Sequence, residues 1–160
     1  MEPTGFAGGS SPESLARHVR GVVSSRPSPS DFTATVRAAF SFLGRFGFQE
    51  VTAPAHRARD PFQIWFGAGD RFVIVAGEGY GTMVSVTLEH DGRELSEIYL
   101  VPVDVRGQAG AGRKRPPDQL EQVREAAERL ERYGADFLGG DFSRFIEKAK
   151  PLPPYKKPVD

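Results

Sequence analysis

Residues 62–92, FQIWFGAGDRFVIVAGEGYGTMVSVTLEHDG, decide the fold of this chain. Three apolar stretches, 62–66, 72–76 and 82–88, are rich in aromatic and β-branched residues, and glycine-containing turns separate them. Stretches of this length and composition between turn residues are typical of β-strands. Because short loops join strands that run in opposite directions, the segment predicts an antiparallel meander. Asp91-Gly92 predicts the next hairpin, since both residues tolerate positive φ.

Further strands and two helices are predicted on either side of this segment. Residues 48–53 and 95–103 have strand-like composition, which extends the meander to four or five strands. Ser28 and Pro29 predict a helix start, because a Ser hydroxyl can cap free amides and Pro fits the first helical position. Gly47 suits the left-handed position that ends this helix.

The C-terminal part of the chain predicts a second long helix and a short one. Asp118 with Glu121 three residues later has the pattern of a capping box, and the apolar seam that follows continues to Gly139-Gly140. Asp141 can cap a short helix over residues 142–149. The predicted class is α+β: an antiparallel meander of four or five strands with an N-terminal and a C-terminal helix packed on one face.

Composition and charge limit the functions that the chain can have. Its 160 residues, 39% of them hydrophobic, fit a single α+β domain over residues 28–150, with a disordered tail over 1–27 and a flexible tail over 151–160. Basic and acidic residues number 21 each, and this zero net charge argues against nucleic acids and anionic membranes as partners. Without a signal-peptide pattern, a long apolar run or any Cys, we expect a cytoplasmic protein.

One glycine-rich loop comes close to a phosphate-binding motif. It covers residues 107–114, but Arg113 stands where the motif needs Lys, Lys114 comes one place late, and no Ser or Thr follows. We interpret it as a mobile loop, and the basic cluster at 113–115 as a solvated one.

The sequence contains no recognisable metal-binding or catalytic motif. The three histidines, His18, His56 and His90, have no spacing that would place two imidazoles on one metal. There is no Cys nucleophile and no Gly-x-Ser-x-Gly elbow. We therefore predict no catalytic residue, no metal and no cofactor.

Two aromatic residues and one carboxylate form the first predicted binding surface. Trp65 has the opposite parity to the apolar residues beside it, so it should point to the sheet face away from the helices. Tyr80 lies between two turn glycines, with Glu78 close by. Because exposed aromatic residues are favoured contacts for protein partners, we predict that Trp65, Glu78 and Tyr80 bind a protein. The alternative for Trp65 is that it packs under the 54–61 loop.

A second predicted site lies between the sheet and the 54–61 loop. There His56, Arg57, Arg59 and Asp60 could bind a small molecule or form an enzyme site. A deep pocket where these four residues converge would favour this site, and a flat aromatic patch would favour the first. RNA binding through the sheet is a third alternative, which would need surface arginines grouped around Trp65.

Two short segments carry a family resemblance. Residues 42–48, FLGRFGF, end the first helix before the meander, and residues 133–142, YGADFLGGDF, end the later one. Over about residues 30–148 the chain resembles a broad set of small uncharacterised bacterial α+β proteins, some of which are thought to be immunity-type proteins that neutralise a toxin by binding it. The resemblance implies a non-enzymatic protein-binding module and transfers no catalytic residue.

Overall fold

Six strands form one antiparallel sheet in the computed structural model, which describes residues 26–57, 59–108 and 112–154. The strands are β1 (Gln49–Val51), β2 (Gln63–Ala68), β3 (Arg71–Glu78), β4 (Met83–His90), β5 (Arg93–Ser96) and β6 (Lys150–Pro151). Each strand pairs with the next one along the chain, so their order in the sheet is their order in the sequence. The predicted α+β class with an antiparallel meander is confirmed. The sixth strand, a two-residue segment that pairs with β5, was not predicted.

The first helical region begins at Ser28 and Pro29 and reaches Gly47 as predicted, but its α-helix ends earlier, at Ala39. Helix α1 (Pro29–Ala39) has Ser28 at its N-cap, where the hydroxyl accepts a 3.1 Å hydrogen bond from the amide of Asp31. A 3₁₀ segment, Ser41–Phe46, continues the helix to Gly47, which has a φ of 82°. The left-handed turn at Gly47 reverses the chain into β1.

The later helical region is divided into more pieces than the sequence predicts. The helices are α2 (Val103–Arg106), α3 (Gln119–Tyr133), α4 (Ala135–Gly139) and α5 (Ser143–Lys148). The capping box of Asp118 and Glu121 at the start of α3 is confirmed. The prediction that this helix continues to Gly139 is wrong, because it ends at Gly134 and α4 begins as a separate element.

Helices α1 and α3 pack on the same face of the sheet and close a single core. Phe32 of α1 contacts the ring of Phe62 and Phe40, at the C-cap of α1, contacts that of Phe66, at centroid distances of 5.6 and 6.1 Å. The same cluster includes residues of α3 and the inward-facing residues of the sheet: Val123, Ala126, Ala127, Leu130, Ile64, Val73, Val75, Val86 and Leu88. Burial of these side chains is the main force that holds the helices to the sheet.

The predicted long strand over residues 95–103 is wrong beyond Ser96. The chain leaves the sheet there, forms a 3₁₀ turn, Glu97–Leu100, and enters α2. Leu100 is fully buried in the core cluster, and Glu97 forms an ion pair with Arg129 of α3. An apolar run of this length suits a strand and a buried helical turn equally well, and packing against α3 decides between them.

Most of both predicted tails lies outside the described residues. Pro151, which the sequence places in the flexible C-terminal tail, belongs to β6, and the amide of Leu152 donates a 2.8 Å hydrogen bond to the carbonyl oxygen of Gly92. Within the described parts of the chain, no helix has both the length and the apolar composition needed to cross a membrane.

Candidate functional site

Trp65 lies on the sheet face opposite the helices, as its parity predicts, but it is covered. It pairs in register with Ile74 of β3 and is only 3% exposed. Its indole nitrogen donates a 3.0 Å hydrogen bond to Oε1 of Gln63, and the guanidinium carbon of Arg57 lies 5.3 Å from the ring centroid. Of the two interpretations of Trp65, the structure therefore shows the one in which the 54–61 loop covers it, and the expectation of an exposed Trp65 is wrong.

Arg57 joins this loop to a buried carboxylate on β4. Its Nη2 donates a 2.9 Å hydrogen bond to Oε1 of Glu89, which is 6% exposed. Burial raises the pKa of Glu89 above its ordinary value, while the charges of Arg57 and nearby His56 oppose this rise. Because a buried charge needs a partner, the Arg57–Glu89 pair ties the loop to the sheet face beside Trp65.

The four residues of the second predicted site do not converge on one deep pocket. Arg57 and His56 lie near Glu89, whereas Arg59 and Asp60 line a separate hollow of about 300 Å³ along β1 and β2. Asp60 also has a structural role, since its Oδ1 accepts a 2.8 Å hydrogen bond from the amide of Phe62. Arg57 lies over Trp65, and Arg59 lines the hollow to which Trp65 also contributes.

The β3–β4 hairpin presents the other predicted residues at its tip. We call Glu78, Tyr80 and Met83 the hairpin tip. Tyr80 is 89% exposed and Met83 is 57% exposed. Glu78 pairs with Met83 across the hairpin, and its Oε1 accepts a 3.0 Å hydrogen bond from the hydroxyl of Ser85. The tip is therefore an exposed apolar pair beside a positioned carboxylate.

The turn that carries Tyr80 is left-handed at three consecutive residues. Gly79, Tyr80 and Gly81 have φ values of 60°, 56° and 92°. The amide of Gly81 donates to the carbonyl oxygen of Glu78 at 3.3 Å, and the Thr82 hydroxyl donates to that of Gly79 at 2.7 Å. These bonds hold a bulky, fully projecting side chain in a backbone conformation that non-glycine residues rarely adopt.

A basic cleft between α2, residues 113–117 and α3 is a third candidate, which the sequence did not single out. Its volume is about 860 Å³. Its lining includes six cationic side chains, Arg106, Arg113, Lys114, Arg115, Arg129 and Arg132, and two carboxylates, Glu125 and Glu128. The prediction of a solvated cluster at residues 113–115 missed that α2 and α3 supply the other cations. No pattern within a short stretch of sequence shows that these distant segments come together in the fold.

Ion pairs inside the chain neutralise only half of these six cations. Arg113 pairs with Glu125, Arg115 with Glu121 at 2.8 Å, and Arg129 with Glu97 at 2.6 Å. The other three are Arg106, Lys114 and Arg132, and no described carboxylate lies within ion-pair distance of them. The cleft therefore has an excess of positive charge although the whole chain is neutral.

Comparison with known proteins found no match for this chain. No family model matches the chain, and no match was found among curated proteins or solved structures. Among the described residues, no group of three or more metal-ligating side chains is close enough together to hold a metal ion. The function must therefore be argued from the geometry of the hairpin tip, the 54–61 loop and the basic cleft.

Proposed function

We propose that this protein is a non-enzymatic binding module that holds a protein partner at the hairpin tip. The observation that carries the proposal is Tyr80, a bulky residue that is 89% exposed at a φ of 56°. A Tyr at such a position adds strain of about 1 kcal/mol or more, and its ring is in solvent, where it adds little to the stability of the fold. Contact between Tyr80 and another molecule accounts for a strained and exposed aromatic side chain at this position.

The chemistry of the hairpin tip suits a protein surface. Tyr offers a large ring and a hydroxyl with only two rotatable angles, and aromatic residues are enriched among the residues that dominate binding energy. Met83 beside it is flexible and polarisable, which suits an adaptable apolar contact. Glu78 supplies a negative charge at the edge of this patch, so the complementary partner has an apolar pocket with a basic residue on its rim.

The rigidity of the turn also supports a binding role. The backbone and Thr82 hydrogen bonds hold Tyr80 in place before any partner arrives. Preorganisation of this kind lowers the conformational entropy that is lost on binding. A protein is favoured over nucleic acid as the partner because the chain has zero net charge and Glu78 would repel phosphates.

The partner class and the setting rest on the family resemblance. Residues 42–48 and 133–142 resemble a broad set of small uncharacterised bacterial proteins, some of which are thought to be immunity-type, so we propose that the partner is a toxin and that binding takes place in the cytoplasm. In this role the module would neutralise the toxin by covering a functional surface and would need no chemistry of its own.

The test compares two exposed tyrosines. Tagged wild type, Tyr80→Asn and Tyr99→Asn are used to enrich proteins from cells that produce the chain, and each captured protein is purified and titrated against all three forms. A true partner should bind wild type and Tyr99→Asn equally and bind Tyr80→Asn at least about 30-fold more weakly, the loss expected for a dominant contact residue. Equal binding of all three forms would show that the hairpin tip is not the binding surface.

The toxin assignment is tested separately. The captured partner is expressed alone and together with each form of the module, and growth is measured. Wild type should restore growth and Tyr80→Asn should fail to do so. If the partner binds through Tyr80 but does not impair growth, the binding proposal stands and the toxin assignment is refuted.

The alternative is a small-molecule site at the 54–61 loop. It is favoured by the buried Glu89 with its raised pKa and by the hollow that Arg59 and Asp60 line. Loss of partner or ligand binding in Arg57→Met, with Tyr80→Asn unaffected, would support this site over the hairpin tip.

A further inference from the structure

The basic cleft is a second surface of the molecule, distinct from the hairpin tip. We propose that it binds a small amphipathic anion: a carboxylate, sulfonate or phosphate group attached to an apolar body. The cavity of about 860 Å³ is within the size range of sites for organic ligands. The proposal is independent of the proposed protein-binding function, since it uses none of the residues of the hairpin tip.

Three cations that have no carboxylate partner among the described residues line the cleft. Arg106 comes from α2, Lys114 from the segment before α3, and Arg132 from the last turn of α3. An anion in the cleft would be attracted by these like charges and would neutralise them. Guanidinium and ammonium groups are the donors that recognise carboxylates and phosphates in proteins.

Arg106 has an additional unsatisfied group. Its Nε is fully buried, and among the described residues it has no hydrogen-bond acceptor. The Arg106 guanidinium carbon lies 5.4 Å from the ring centroid of Tyr99, which restricts where the rest of the side chain can go. A buried donor without an acceptor costs free energy, and an anion in the cleft could supply the missing oxygen.

Besides its cations, two glutamines and two carboxylates, Gln108, Gln122, Glu125 and Glu128, the cleft has apolar lining residues. Val84 and Val101 lie on the core side, Val105 comes from α2, and Pro116 with Pro117 forms the opposite edge. An inorganic ion would leave this surface facing water, whereas an apolar group attached to the anion would cover it. The combination of three free cations and an apolar wall therefore selects an amphipathic anion over phosphate or sulfate alone.

The ion pair of Glu97 and Arg129 forms the fixed wall of this site. Glu97 is 4% exposed and accepts a 2.6 Å hydrogen bond from Nη2 of Arg129. This pair keeps the Arg129 charge neutralised within the chain, so Arg129 does not compete for the ligand. Arg106, Lys114 and Arg132 are left as the ligand-binding cations.

The probe for the experiment is 1-anilinonaphthalene-8-sulfonate, an aromatic anion whose fluorescence rises in apolar surroundings. We expect saturable binding at a single site on the intact wild-type chain. Arg106→Met, Lys114→Met and Arg132→Met each keep an apolar stem and remove one charge. Each should weaken binding by about tenfold, the effect expected for a lost charge-assisted hydrogen bond.

Matched controls distinguish binding in the basic cleft from nonspecific binding of the probe to other apolar surfaces. Arg93→Met removes an exposed cation on β5, outside the cleft, and should leave the affinity unchanged. Methyl resonances of Val84, Val101 and Val105 should shift on titration, while that of Val51 should not. N-phenyl-1-naphthylamine, a neutral analogue, should bind at least about tenfold more weakly than the sulfonate, because the missing charge leaves the cations unpaired. Thermal unfolding of every variant confirms that the fold is retained.

Three results would overturn the proposal. These are non-saturable binding of the sulfonate, equal affinity in a variant that combines all three substitutions, and methyl shifts spread over the whole core. Competition experiments identify the head group: dodecanoate and dodecyl phosphate should both displace the probe, and the tighter competitor shows whether a carboxylate or a phosphate is preferred. Displacement by inorganic phosphate as effectively as by dodecyl phosphate would refute the apolar part of the proposal.

Discussion

Replacement of Tyr80 by Asn should make the protein more stable. Among the described non-glycine residues, only Tyr80 and Asp91 have positive φ, at 56° and 49°. Asp and Asn tolerate this region because their short polar side chains bond locally, whereas a bulky residue is strained there by roughly 1–2 kcal/mol. Since Tyr80 is 89% exposed, its removal loses almost no buried surface.

The net gain should be about 0.5–1 kcal/mol in the free energy of unfolding, because Asn relieves only part of the strain. For a chain of this size that corresponds to a rise of roughly 1–4 °C in the melting temperature. Calorimetry and urea unfolding measure the two quantities. The opposite change at the other left-handed position, Asp91→Tyr, should destabilise the protein by a similar amount.

The control for this prediction is Tyr99→Asn, which removes an exposed Tyr from the 3₁₀ turn that follows β5, where no positive φ has to be relieved. Its melting temperature should not rise. An unchanged or lower melting temperature for Tyr80→Asn would refute the reasoning that Tyr80 is strained. A variant that gains stability while losing its partner would directly show that function maintains the strain.

Three further predictions concern the core and its charges. Arg129→Met should cost about 3–5 kcal/mol in urea unfolding at pH 7, because it leaves the buried Glu97 carboxylate unpaired; a cost below about 1 kcal/mol would contradict this. Burial raises the folded-state pKa of Glu89, so its stabilising contribution is present below the unfolded pKa and is lost as pH rises. The stability of wild type relative to Glu89→Gln should therefore fall as pH rises above the unfolded pKa of about 4, and a rise in stability would refute the sign. Gly134→Ala should cost about 1–3 kcal/mol, since a Cβ there would lie 2.8 Å from the carbonyl oxygen one turn earlier, whereas Gly139→Ala has open space and should not destabilise the protein.

Local signals in the sequence predict much of the fold. Asp91-Gly92 closes a hairpin with positive φ at both residues, and Asp118 with Glu121 forms the capping box of α3. Gly47 has the left-handed conformation expected after the first helix. Each of these features depends on residues a few positions apart, so the side chains that determine the conformation are visible in the local sequence.

Predictions that depend on distant residues were less successful. The run at 95–103 has strand-like composition, but it leaves the sheet after Ser96 because its side chains pack against α3. The helix that was expected to reach Gly139 ends at Gly134. In both cases the local pattern allows two conformations, and contacts with another part of the chain select one.

The candidate sites divide in the same way. The sequence by itself determined that the hairpin tip is exposed, because turn glycines flank Tyr80, and that Trp65 faces away from the helices, because side chains alternate along a strand. Only the tertiary structure decided that Arg57 and its loop cover Trp65, that Glu89 is buried beside them, and that α2 and α3 gather cations into one cleft. The physical reason is the distance along the chain over which each property is set. The burial of a side chain and the local charge of a surface depend on residues that only folding brings together, whereas the geometry of a turn or strand depends on residues that are adjacent in the sequence.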